Sequence, residues 1–140
     1  MRKLMSAAVL GALAVFVLVP AVGNAASTTL TAKLSGKSEV PKGDPNGSGT
    51  ATIKIDPAKK TACFTIKLKN IEPTSAGHIH KGKKGVAGPI VIPLFAGTAK
   101  HSGCVKASKS LLSKILKSPA SYYVNVHNAK YPGGALRGQL

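Results

Sequence analysis

Three histidines have the type and spacing for chemistry. His78 and His80 flank Ile79, so in an extended strand both imidazoles leave one face and Ile79 leaves the other. The run Tyr122 to His127 repeats the arrangement, with Tyr122, Val124 and Val126 on one face and Tyr123, Asn125 and His127 on the opposite one. Each strand is expected to bury its aliphatic face and turn its histidines outward. If the two strands are neighbours, His78, His80 and His127 form a three-nitrogen site suited to copper or zinc. A plainer reading stands beside this one, because His-x-His is a short pattern and imidazoles near strand ends often hydrogen-bond turn backbone. His101, in a polar turn beside Cys104, is assigned no role.

Other chemistries find little support. The chain of 140 residues holds only 4 Asp+Glu, namely Glu39, Asp44, Asp56 and Glu72, so hydrolysis by paired carboxylates is disfavoured. Neither a GxxxxGK[ST] loop nor a GxGxxG turn is present, which argues against nucleotide-dependent enzymes. No catalytic residue is assigned. Any enzymatic role is left open, with a non-enzymatic role favoured.

The elements that must position the histidines are short strands. Leu30, Ala32 and Leu34 alternate with polar residues, as do Ile53 and Ile55, and then Phe64, Ile66 and Leu68, with lysines facing outward. Asp44-Pro45-Asn46-Gly47, Asp56-Pro57 and Pro73-Thr74-Ser75 supply turns between them. The apolar run Ile90 to Phe95 suits a strand whose Pro93 lies at an edge or a bulge. Leu111, Leu112, Ile115 and Leu116 have helical period, and Pro119 ends that segment. The pattern predicts an all-β, Greek-key-like sandwich or barrel of about seven to eight short strands, with one short helix around residues 108–117.

Arg2 and Lys3 precede an apolar run that ends in small residues near Ala25, which reads as a secretory signal over residues 1–25 ahead of a single domain over 26–140. The alternative is an uncleaved membrane anchor; after cleavage no membrane-spanning segment is left. A secreted or cell-envelope location follows. In that oxidising setting Cys63 and Cys104, an even set, are expected to pair as a disulfide, since they lack the close spacing of metal-binding knuckles.

Three stretches together resemble a known family. They are Ser38-Glu39-Val40-Pro41, then Ala76-Gly77-His78-Ile79-His80-Lys81-Gly82 with Gly85 and Gly88-Pro89-Ile90-Val91, and last Tyr123-Val124-Asn125-Val126-His127 with Pro132 to Leu140. In this order they are similar to the CHRD domain, described in chordin and in secreted bacterial proteins. The resemblance implies an extracellular all-β module, often of unassigned biochemical activity; in chordin it lies in a protein that binds growth factors. A more distant likeness is to copper-zinc superoxide dismutases, which carry a His-x-His strand, a later Val-x-His or Val-His strand and a Gly-rich turn with an arginine. That likeness would carry over at most a lone copper site on His78, His80 and His127, with Arg137 as an anion-attracting neighbour, because no bridging histidine and no zinc-site carboxylate are evident.

Charge adds a further expectation. With 20 Lys+Arg the chain has a formal net charge of +16, which favours acidic polysaccharide or an anionic envelope surface as partner, with the loop lysines Lys81, Lys83 and Lys84 as a contact. Plain solubility explains the same excess. Specific nucleic-acid binding is not expected, since Arg137 is the single arginine beyond residue 25 and aromatics are few. The sequence therefore supports an extracellular binding or structural module without a named ligand, and alternatively a copper-binding metalloprotein.

Overall fold

The computed structural model describes residues 26–97 and 100–140; the expected signal segment lies outside the described residues. Eight antiparallel strands form one sheet: β1 (Thr28–Ser35), β2 (Ser48–Asp56), β3 (Thr61–Lys69), β4 (Thr74–Lys81), β5 (Ile90–Ala96), β6 (Ser102–Lys106), β7 (Tyr122–Asn128) and β8 (Leu136–Gln139). Among the described residues one α-helix, α1 (Lys109–Lys117), links β6 toward β7. The expected all-β architecture with one short helix is what the chain adopts.

Period-two patterning sets the inner face. Ala32 and Leu34 of β1, Ala51, Ile53 and Ile55 of β2, and Ala62, Phe64 and Ile66 of β3 are all buried, and the lysines between them face solvent. The β2–β3 turn is fixed by Asp56, whose Oδ1 accepts from the Lys59 amide at 2.9 Å, and by Lys60 at φ 55. Ser108 caps α1 by accepting from the Leu111 amide at 3.1 Å, and the helix puts Leu112 and Ile115 into the core.

The strand order is β5-β4-β7-β8-β1-β2-β3-β6. The sheet curls until its ends approach, with Phe64 of β3 stacked on Phe95 of β5 at a centroid distance of 6.1 Å, giving a nearly closed barrel. Pro93 meets both expectations for a strand proline: β5 is an end strand, and its register against β4 shifts on either side of the His78↔Pro93 and Ile79↔Ile92 pairs. The order also makes β4 and β7 neighbours, in a register that pairs His78 with Asn125 and His80 with Tyr123.

Cys63 and Cys104 stand directly opposite in the β3–β6 ladder and form a disulfide on its outer face. The bond staples β6, an end strand of five residues, to the sheet and closes a loop of sequence separation 41. Replacing both cysteines by alanine should cost about 2 to 4 kcal/mol of stability, chiefly by freeing the unfolded chain. Denaturant unfolding of that variant against the oxidised parent checks this; equal midpoints at equal slopes would refute it.

Candidate metal centre

The β4–β7 pairing brings the three histidines together. One ring nitrogen from each of His78, His80 and His127 lies within 4.8 Å of the others. Two nitrogens bound to one ion at about 2.0–2.1 Å stand no more than about 4.2 Å apart, so the widest separation is short of a binding geometry by less than about 1 Å.

Backbone carbonyls set the tautomers. His80 Nδ1 lies 2.8 Å from the Gly88 carbonyl and His127 Nδ1 lies 2.9 Å from the Pro132 carbonyl. A carbonyl oxygen only accepts, so each neutral ring carries its proton on Nδ1 and presents a lone pair at Nε2. His127 Nε2 faces His78 Nδ1 at 3.1 Å, whereas His80 Nε2 is buried without a hydrogen-bond partner.

Asn125 and Glu39 complete the surroundings. Asn125 Oδ1 lies 3.1 Å from His127 Nε2. Glu39 is 5% exposed and its Oε1 has no partner. Burial raises the pKa of its carboxyl above the ordinary range, against the opposing effects of the Val40 amide, Arg137 and Asn125.

The histidines leave the face opposite Ile79, Val124 and Val126 as expected, but that face is only partly open to solvent: His78 and His127 are half-exposed, whereas His80 at 8% exposure, Tyr123 and Asn125 are buried. Loops distant in sequence account for this. The segment 82–89 lies against β4, where Lys81 donates to the Pro89 carbonyl and Gly88 packs so closely that an added Cβ would fall 1.7 Å from the Lys81 oxygen. The turn at 132–134 lies over His127, and Gly134, at φ +138, leaves room for the Glu39 carboxyl that a side chain would occupy. Burial, then the neighbouring His127 and His80, lowers the His78 pKa to about 4; burial also lowers that of His80. His78 therefore remains neutral, and able to bind metal, well below the pH at which a free imidazole takes its proton, and His80 is displaced in the same direction.

Arg137, expected as an anion-attracting neighbour, is 1% exposed. Its Nη2 donates to the carbonyls of Lys83 and Val86, and its guanidinium lies 3.5 Å from the Tyr123 ring centroid. Tyr123 in turn stacks on His80 at 4.8 Å with the rings 10° apart. Arginine, tyrosine and histidine form a three-tier stack that fixes the ring plane of His80. Lys81, expected in the loop, ends β4, and it is exposed like Lys83 and Lys84 of the loop, so the ammonium groups turn outward while the Lys83 and Val86 carbonyls grip the arginine.

Sequence reasoning missed Glu39, Tyr123 and the Gly88 carbonyl as parts of this site. The available signals were the scarcity of carboxylates, which made Glu39 conspicuous, and the placement of Tyr123 and Asn125 on the same β7 face as His127.

A family model for the CHRD domain matches residues 30–140, a span that includes all three histidines, Glu39, Arg137 and both cysteines. No curated protein and no solved structure matches the chain. A match that begins in β1 and runs to the last residue, taking in every part of the site, shows that the chain belongs to the CHRD domain family.

Proposed function

We propose that this protein is an extracellular module that binds a copper ion through His78, His80 and His127. Family membership supports an extracellular binding or structural module, and the disulfide is consistent with that setting. Among the described residues no helix is long and apolar enough to cross a membrane. The copper reading rests above all on His80 Nε2, a buried lone pair without a partner inside a cluster of imidazole nitrogens.

The donor set favours copper on chemical grounds. Three neutral imidazoles supply no negative charge, and for a given nitrogen site Cu²⁺ binds more tightly than Zn²⁺ or the earlier divalent metals. The Gly88 and Pro132 carbonyls hold the Nδ1 protons of His80 and His127, so only His78 has to move its proton, from Nδ1 to Nε2, to complete the set. The reading assigns binding and no turnover.

Copper titration of protein purified without chelators should give one site per chain, with nitrogen hyperfine structure in the electron paramagnetic resonance spectrum. His80→Gln and His127→Ala should each weaken binding by at least about ten-fold. Equal affinity in the wild type and in a variant lacking all three imidazoles would overturn the reading. Loss of folding in His127→Ala would support the plainer one, in which the ring is a structural hydrogen-bonding group.

Acidification should also separate the histidines from ordinary ones. Because the folded pKa of His78 is depressed from 6.5 to about 4, the unfolded chain takes up this proton first as pH falls. The stabilising effect of keeping the ring neutral is complete above about pH 6.5 and is lost progressively toward pH 4. Glu39, with its raised pKa, acts in the opposite sense above its ordinary value of 4.5. The informative quantity is therefore the difference between wild type and His78→Gln in metal-free thermal melts. The variant should lose less stability between pH 6.5 and 4; identical slopes would refute the prediction.

A further inference from the structure

The outer face of the barrel is covered on one side and bare on the other. Over β4, β7 and β8 loops enclose the histidines, whereas among the described residues no segment overlies the outer face of β1, β2, β3 and β6, and its polar side chains other than Asp56 are exposed or half-exposed. Lys33, Lys54, Lys67, Lys69 and Lys106 all project from it. Asp56 is the one carboxylate on these strands, and it is buried to 9% exposure and paired with Lys59 at 3.6 Å. Between the lysines runs a rank of hydroxyls, with Thr31 opposite Thr52, Thr52 opposite Thr65 and Thr65 opposite Ser102.

We propose that this threonine-lysine face is a binding surface for a linear anionic polysaccharide, carboxylated or sulfated. Charge complementarity names the sign of the partner: ammonium groups stand on both sides of the threonine rank, with Lys54 before it and Lys33 and Lys67 beyond it. Geometry names its class. Hydroxyls repeat about every 4.8 Å across strands and about every 6.8 Å along them, the scale of single sugar rings, and offer donors and acceptors to sugar hydroxyls as well as to acid groups. No aromatic side chain projects from the outer face of these four strands, so nothing there stacks on bases, and no exposed large aliphatic side chain lies on that face to enter a lipid layer. The surface lies on different strands from the histidines, and the proposal does not depend on the copper reading.

Retention on immobilised alginate and on dextran sulfate, with neutral dextran as a blank and chelator present, tests this. Changing Lys33, Lys54, Lys67 and Lys69 together to glutamine should weaken retention at least ten-fold more than the same change at Lys109, Lys114, Lys117 and Lys130, which are exposed elsewhere. The triple variant Thr31→Val, Thr52→Val, Thr65→Val keeps the charge and suits a strand. It should weaken polysaccharide binding while leaving binding to inorganic polyphosphate unchanged. Circular dichroism confirms the fold of each variant. Equal losses from the two lysine sets, no effect of the threonine variant, or wild-type binding to duplex DNA or phosphatidylserine vesicles as tight as to polysaccharide would overturn the proposal.

Discussion

A buried guanidinium governs the covered side of this barrel. Arg137 is 1% exposed, and a permanently charged group at that depth is tolerated only where oxygens and a π-face replace its water. The Lys83 and Val86 carbonyls and the Tyr123 ring do so. Satisfying the arginine therefore draws the 82–89 segment onto the sheet, and that segment brings the Gly88 carbonyl to His80. The Tyr123 ring, held from one side by the arginine, presses its other face on the same imidazole. The orientation and tautomer of one candidate ligand thus follow from the solvation needs of a cation two residues from the end of β8.

His78 and His80 lie on a stretch of β4 that pairs regularly with β7 but irregularly with β5. β4 shifts register twice against β5, at Gly77/His78 and at Ile79/His80, and once more against β7 near Ala76. Bulges increase local twist and re-aim side chains. They occur at the residues whose rings must converge, which a flat ladder would have kept in parallel ranks.

Much of the architecture was legible in local patterning. The alternation in β1, β2 and β3 locates the inner face because a strand repeats every two residues, and Pro93 marked either an edge or a bulge because it has no amide to give to a ladder. The pairing of Cys63 with Cys104 followed from their number and their setting. The convergence of His78, His80 and His127 was legible only as a condition, that β4 and β7 be neighbours. What the sequence could not show was the covering of the histidine face. It depends on Glu39, Gly88 and Pro132, which are far apart in the chain and act mostly through main-chain oxygens that have no compositional signature. For the same reason Arg137 was expected as an anion-attracting neighbour, whereas it is buried against the carbonyls of Lys83 and Val86.

The seam where the sheet fails to close has a consequence for how copies of this chain meet. Between β5 and β6 there is no ladder; a cleft of about 360 Å³ lies there instead, lined by Phe64, Leu94, Phe95 and Val105 among others. Two unpaired strand edges beside apolar rings would ordinarily invite a second chain to add its own strand. Here one edge carries Pro93 and a shifted register, and the other is only five residues long, bonded through Cys104 to its neighbour and ending at Lys106. The gap admits side chains but offers little continuous backbone to an incoming strand, so the barrel can stay incompletely closed without becoming a template for its own aggregation.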